Sequence, residues 1–174
     1  VRIAYGFDKP LIEQYLNQLK MIFNGDFGNS FRFKTPAMPL VLERLPATIE
    51  LAFFAIIISI LIAIPAGVLS AIYQNSLLDY IVTIVSTIGR AMPNFWIGIM
   101  LILLFSVFYK FLPVSGRLEA SSFILPAVTL GTSIATTLAR ILRSSMLEVI
   151  RKEYVITAYS KGLSKFNVIK NHIL

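Results

Sequence analysis

The chain has 174 residues, of which 56% are hydrophobic and 14% are charged, and its net charge is +7. Soluble domains are about a quarter charged, so this composition indicates a membrane protein, whose positive charge points to lipid headgroups or cytoplasmic loops rather than to nucleic acid. The absence of cysteine and the presence of one histidine, His172, exclude disulfides, cysteine-ligated metals and histidine clusters, so we expect no metal and no cofactor.

Residues 1–45 are predicted to form an aqueous or membrane-surface segment, because they contain charges, glycines and prolines. Within it, KPLIEQYLNQLKMIF has the apolar spacing of an amphipathic helix, which the turn residues after Phe23 should end. The chain begins at Val1 without a signal-peptide pattern and stops inside a helical pattern, so we expect the protein to continue beyond both ends.

The first predicted span covers about residues 48–73, because 51–78 contains no charged residue and is long enough to cross a hydrocarbon core of about 30 Å. Pro46, Thr48 and Glu50 suit the beginning of this helix. Gly67 and Ala71 are small enough to allow close contact with a second helix.

The second predicted span is a broken unit over about residues 78–110. YIVTIVSTIG is too short to cross alone, and Arg90 follows it. A straight helix would place Arg90 in the hydrocarbon at a cost of about 2.5–3.5 kcal/mol, which a kink near Pro93 or a water-lined cavity would remove.

The third predicted span covers about residues 121–143 and is rich in small and hydroxylated residues, which suit packed interfaces and polar pathways. Thr129, Ser133 and Thr136 are the candidates for lining a pathway. The alternative is that these hydroxyls bond to the backbone of their own helix. Three spans place the two ends of the chain on opposite sides of the membrane. The basic residues near the spans are balanced and leave the orientation open: Arg32, Lys34, Arg44, Lys110 and Arg117 against Arg140, Arg143, Arg151, Lys152 and Lys161.

The tail after Arg143 is predicted to form a helix, a glycine turn and a second helix. Leu147, Ile150, Tyr154 and Ala158 would make one narrow apolar stripe. Lys161-Gly162-Leu163 is typical of a helix end, and Ser164 suits the N-cap of a helix from Lys165. Two interpretations stay open, a helix resting on lipid and a helix that docks onto a soluble partner.

EYVITAYSKGLS resembles the EAA loop of permease subunits of ABC importers, in the dipeptide, oligopeptide and nickel version of that family. Three further stretches agree with that family in order and spacing, namely FDKPLIEQYL with GDFGNSF, LERLPATIELA, and MPNFWIGIMLILLFSV with FLPVSGR. The resemblance implies an all-α, polytopic membrane domain of the ABC type I importer (MetI-like) kind. About three of its six spans would be present, and the first and the last two would lie outside this chain.

The resemblance also implies an arrangement in the inner (plasma) membrane of a prokaryote. Residues 1–45 would be extracytoplasmic, 46–174 would form part of the permease domain, and the tail from about 144 would be cytoplasmic. A coupling helix over about 146–162 would be followed by the start of the next helix at 165–174. The partners implied are a second homologous permease, two cytoplasmic ATP-binding subunits, an extracytoplasmic substrate-binding protein and the lipid bilayer.

Residues for contact with the ATPase follow from the same resemblance. Ala158 matches the second alanine of the motif and Gly162 its glycine, Thr157 stands at the first alanine, and Ile156 stands at the position of the motif's glutamate. The predicted coupling residues are Glu153, Tyr154, Thr157, Ala158, Lys161, Gly162 and Leu163.

The function expected from the resemblance is a non-enzymatic permease subunit of an ATP-driven importer for di- and oligopeptides. The sequence contains no G-x-x-x-x-G-K-[ST] nucleotide motif and no constellation of catalytic side chains, so ATP hydrolysis would reside on a partner. The alternative substrates are nickel, glutathione or oligosaccharides, and the alternative class is a channel or scaffold without an ATPase.

Overall fold

The computed structural model describes residues 9–116 and 120–173, which belong to two compact units, 1–49 and 50–174. Within the described ranges the regular structure is helical, and the only β-type pairing is an isolated antiparallel bridge between Asn29 and Pro36. The first eight residues of the predicted segment 1–45, Arg117 of the charge comparison and Leu174 lie outside the described residues.

The first helix, α1, spans Leu11–Phe23 and confirms the predicted amphipathic helix. Glu13 in its first turn forms an ion pair with Lys9, whose Nζ lies 2.7 Å from Oε1. The negative charge of Glu13 suits the positive N-terminal end of the helix dipole. Gly25 follows with a φ of 78°, a left-handed conformation that ends the helix. None of the residues of α1 is buried, so its apolar stripe stays exposed within this unit.

The second helix, α2, spans Ala37–Ile72 and begins well before residue 48. The helix start predicted at Pro46, Thr48 and Glu50 is wrong, because Pro39 occupies the first turn, where a missing N–H costs nothing. The bounds of the span itself stay a prediction. Pro46 lies inside the helix and leaves the carbonyl of Leu42 without its helical donor. Leu42 is exposed, so that carbonyl can be solvated.

A bent pair of helices follows α2. Helix α3 spans Leu77–Ala91, and α4 spans Asn94–Leu101 and continues as a π-helix over Ile102–Phe108. The two parts meet at an angle of 101°, with Met92 and Pro93 in extended conformations between them. The break therefore falls at the proline where the sequence predicts a kink, and Arg90 is exposed in the last turn of α3.

Helix α5 spans Ile124–Ile150, after a short 3₁₀ turn over Ala120–Phe123. The helix continues past Arg143 for two further turns, so it is longer than the predicted span, whose end at about 143 stays a prediction. The predicted coupling helix is correspondingly shorter: α6 spans only Glu153–Ser160, after a break at Arg151 and Lys152. Helix α7 spans Lys165–Val168 and continues as a π-helix over Ile169–Ile173.

The described residues contain two helices that are long and apolar enough to cross a membrane, Ala37–Ile72 and Ser121–Ile150. The bent pair Leu77–Ala91 and Asn94–Phe108 makes a third if it counts as one broken span. Many large apolar side chains of these helices are exposed, as Phe53 and Leu61 are, which suits contact with lipid.

The core of unit 50–174 is built on small residues where α2 meets α5. The buried positions recur every four residues along both helices, at Ala55, Ser59, Ala63, Gly67 and Ala71 of α2 and at Ala127, Gly131, Ala135 and Ala139 of α5. A Cβ atom at Gly67 would lie 2.8 Å from the carbonyl oxygen of Ala139, and one at Gly131 would lie 2.9 Å from that of Ala55. The two backbones are therefore in direct contact, which confirms the close approach predicted at Gly67 and Ala71.

Candidate coupling site and pathway residues

The tail helix α6 is held against the ends of α2 and α5 by its own inner side. Val155 and Ala158 are 0% and 5% exposed. They form one apolar cluster with Ala71 of α2, Met146 of α5 and Val168 of α7. Burial of apolar area therefore fixes α6 on the chain itself, and we assign Ala158 to this internal packing rather than to a surface that faces a partner.

The opposite side of α6 is open. The other predicted coupling residues are all exposed: Glu153, Tyr154, Thr157, Lys161, Gly162 and Leu163. The apolar stripe predicted through Leu147, Ile150, Tyr154 and Ala158 is wrong at Tyr154 only, since the other three residues pack in or against the cluster. The break at Arg151 and Lys152 changes the helical phase, so Val155 turns inward in place of Tyr154, which is 52% exposed.

The turn after α6 has the predicted form. Gly162 has a φ of 81°, and its N–H donates to the carbonyl of Tyr159 at 2.9 Å. The hydroxyl of Ser164 accepts from the N–H of Asn167 at 3.4 Å, as expected of the N-cap of α7. The sequence of helix, glycine turn and helix is therefore confirmed, and the left-handed φ explains the glycine.

A buried ion pair lies beside this cluster, between Asp79 in the first turn of α3 and Arg143 of α5. Arg143 donates from Nε to Oδ1 at 2.7 Å and from Nη2 to Oδ2 at 2.8 Å. The hydroxyl of Ser70 also donates to Oδ1, and the N–H of Asn75 donates to Oδ2 at 3.0 Å. Each carboxylate oxygen of Asp79 thus has two donors, so this 3% exposed side chain is fully paired. We call these four residues the Asp79 clasp.

Asp79 and Arg143 were not predicted to form a site, although the position of each charge at an apolar stretch is a sequence signal for one. Asp79 directly follows the uncharged stretch 51–78, and Arg143 interrupts an apolar helix. Charged residues at such positions pair with one another or face a cavity, because an isolated charge in a membrane is costly. Their pairing could not be deduced from spacing, because 64 residues separate them.

Thr129, one of the three predicted pathway residues, borders a cavity of about 380 Å³. Its other walls come from the beginning of α4, the turn at 113–116 and the beginning of α5, and include Asn94, Phe95, Gly98 and Pro126. The hydroxyl of Thr129 donates to the carbonyl of Leu125 at 2.7 Å, so its proton is used within α5. A Cβ atom at Gly98 would lie 3.5 Å from the methyl group and 3.6 Å from the hydroxyl oxygen of Thr129.

The other two predicted pathway residues lie closer to α3. The hydroxyl of Thr136 donates to the carbonyl of Ser133 at 2.8 Å, and its methyl group packs where a Cβ atom at Gly89 would be. Ser133 is half-buried. The structure thus brings Thr129 to a cavity and Thr136 to a helix contact. Within residues 9–116 and 120–173, no three Asp, Glu or His side chains lie close enough together to hold a metal ion.

Spans that pack through small residues, a charge pair buried between them and a short docked helix beyond them define an all-α, polytopic membrane protein. The chain belongs to the family of inner membrane components of binding-protein-dependent transport systems, whose profile matches residues 63–174. Its fold is therefore that of an ABC type I importer (MetI-like) membrane domain, and the protein is a multi-pass inner-membrane protein.

The chain is similar to several permeases named for peptide transport. It is 35% identical to a dipeptide transport system permease of Escherichia coli K12 and 39% identical to a di/tripeptide permease of Pseudomonas aeruginosa UCBPP-PA14. Each match covers 97% of this chain and 59% of the relative. An oligopeptide permease of Bacillus subtilis 168 is 40% identical, over 97% of this chain and 57% of its own length. The chain therefore spans less than two thirds of the relatives it matches.

Proposed function

We propose that this chain is part of a permease subunit of a peptide importer that is driven by ATP hydrolysis on separate subunits. Its partners would be a second homologous permease, two cytoplasmic ATP-binding subunits and an extracytoplasmic substrate-binding protein. Family membership and the names of the relatives support the transport role and the peptide substrate.

The observation that carries the proposal is the two-sided packing of α6. Its inner side is buried on α2, α5 and α7, so a force applied to α6 reaches the ends of two candidate spans. Its outer side exposes Glu153, Tyr154 and Thr157, so a soluble subunit can reach it.

The orientation belongs to the same proposal. If the ATP-binding subunits dock on α6, the tail from about 144 is cytoplasmic and residues 1–45 are extracytoplasmic. The first candidate span then runs inward, and the bent pair α3 and α4 returns outward. The third candidate span runs inward again. The cavity beside Thr129 lies toward the extracytoplasmic end, and the Asp79 clasp lies toward the cytoplasmic end.

The experiment is purification of the complete, tagged permease from membranes that also contain the other subunits of its transport system. The wild-type protein should retain a stoichiometric ATP-binding subunit and a second permease. Thr157→Arg, which places a long charged side chain on the outer side of α6, should lose most of the ATP-binding subunit and keep the second permease.

Thr35→Arg is the matched control, because Thr35 is also exposed but lies in the segment proposed to face the other side of the membrane. This variant should retain both partners. A wild-type protein that purifies without any ATP-binding subunit would contradict the proposal, and so would equal retention by Thr157→Arg and the wild type.

A further inference from the structure

We propose that Asp79 and Arg143 are positioning residues that couple the movement of α6 to the bent pair α3 and α4 during transport. The inference rests on the proposed function, because it concerns how a force applied at α6 reaches the transport pathway.

The clasp joins separate elements at one point. Ser70 belongs to the last turn of α2, Asn75 to the turn between α2 and α3, Asp79 to the first turn of α3, and Arg143 to α5. Asn75 has a φ of 62°, so its N–H reaches the carboxylate from a left-handed turn. The start of α3 is therefore tied to α2 and to α5 through a single carboxylate.

The elements that hold the clasp also hold α6. Ala71, next to Ser70, and Met146, three residues after Arg143, both pack in the cluster that contains Val155 and Ala158. The residues that pack against α6 and the residues of the clasp are therefore adjacent in sequence on α2 and about one helical turn apart on α5. A displacement of α6 that shifts these two helix ends must also act on Asp79.

The chemistry of the clasp suits positioning better than cohesion. Contact between helix backbones and apolar burial already hold α2, α5 and α6 together. A buried ion pair adds little net stability, because the loss of hydration offsets the attraction between the charges. A bidentate arginine–carboxylate pair does supply geometric specificity. Its two parallel hydrogen bonds fix both the distance and the angle between the helices that carry the two side chains.

Helix α3 connects the clasp directly with the bend between α3 and α4, so a displacement at Asp79 can be transmitted along it. It runs unbroken for 15 residues from Leu77, two residues before Asp79, to the break at Met92 and Pro93. Beyond that break α4 borders the cavity beside Thr129. A rotation of α3 at the clasp therefore changes the bend, and with it the walls of the cavity.

The experiment measures the coupling ratio, which is the amount of peptide transported for each ATP hydrolysed, in vesicles that contain the complete transporter. The probe is a ¹⁴C-labelled mixture of di- and tripeptides. Asp79→Asn should assemble, because Arg143 is 27% exposed and its charge can turn toward water. The coupling ratio should fall about tenfold, while ATP hydrolysis per assembled complex stays within about twofold.

Two further variants separate positioning from a structural role. The double variant Asp79→Asn/Arg143→Gln should lose no more coupling than Asp79→Asn alone, because residues that act as one unit are not additive. Ser70→Ala keeps the ion pair and removes one donor, so a two- to threefold fall is expected, and this variant decides the matter if Asp79→Asn does not assemble. Arg140→Gln, an exposed arginine of the same helix, is the matched control and should couple normally.

An unchanged coupling ratio in Asp79→Asn or in Ser70→Ala would overturn the inference. So would a parallel fall of transport and hydrolysis per assembled complex, because a clasp with only a structural role predicts that result. Failure of the wild-type complex to transport the peptide mixture would contradict the proposed function itself. Normal coupling in both wild type and Asp79→Asn would contradict only the role of the clasp.

Discussion

Arg143 holds both carboxylate oxygens of Asp79, at 2.7 and 2.8 Å, although 64 residues separate the two in the chain. The pair fixes the beginning of α3 against the last third of α5, at a point where Asp79 is buried and Arg143 keeps partial access to its surroundings. The pair lies beside the apolar cluster that holds α6. It therefore connects the proposed docking helix with the helices that border the cavity beside Thr129.

Replacement of Arg143 by Gln should lower the free energy of unfolding by about 3–5 kcal/mol, because it leaves the Asp79 carboxylate buried without its cation. Arg90→Gln removes the same charge from an exposed position and should change stability by less than about 0.5 kcal/mol. Thermal or denaturant unfolding of the purified permease in detergent measures both. A large loss in Arg90→Gln would mean that Arg90 is paired in the complete protein.

Gly131→Ala should destabilise the protein by about 1–3 kcal/mol, because the new methyl group would meet the carbonyl oxygen of Ala55 at 2.9 Å and push α2 away from α5. Gly98→Ala is the matched control, since its methyl group would meet only the Thr129 side chain at an ordinary 3.5 Å. Alanine favours helix more than glycine does, so Gly98→Ala should be neutral or stabilising. Equal melting temperatures for the two variants would contradict the close contact of the helix backbones.

Val155→Ala should loosen α6 from the rest of the chain. It removes two methyl groups from a fully buried side chain, at a cost of about 1–3 kcal/mol. Amide hydrogen exchange in residues 153–160 should accelerate accordingly, while exchange in α5 stays slow. Ile156→Ala changes the neighbouring residue, which is 58% exposed, and should leave the exchange of α6 unchanged. Faster exchange in Ile156→Ala than in Val155→Ala would reverse the assigned inner and outer sides of α6.

The proposed orientation can be tested with single cysteines, because these 174 residues contain none. Asn29 and Ser164 are both exposed. In intact cells a cysteine at 29 should react with a thiol reagent that cannot cross the membrane, and one at 164 should react only after the cells are permeabilised. The opposite pattern would place the tail outside and exclude docking of a cytoplasmic ATP-binding subunit on α6.

Local features of this protein follow from the amino-acid sequence alone. The uncharged run 51–78 must avoid water, Pro93 cannot donate a backbone hydrogen bond, and Gly162 accepts a left-handed φ without strain. Each effect acts within a few residues of its cause. The spans, the bend at 92–93 and the glycine turn could therefore be predicted, as could the amphipathic α1.

Only the tertiary structure decided the pairing of Asp79 with Arg143, the length of α5 and the side of α6 that turns inward. Each depends on a contact between residues that are remote in sequence. From the sequence alone, the charge of Arg143 indicates the end of a span. The structure shows that this charge is paired with the carboxylate of Asp79, 64 residues earlier in the chain. Likewise Val155 and Tyr154 are both suitable for an apolar stripe, and the break at Arg151 and Lys152, with the packing against Ala71 and Met146, selects Val155. Sequence patterns report local preference, whereas the choice among compatible packings belongs to the surfaces that meet in the folded chain.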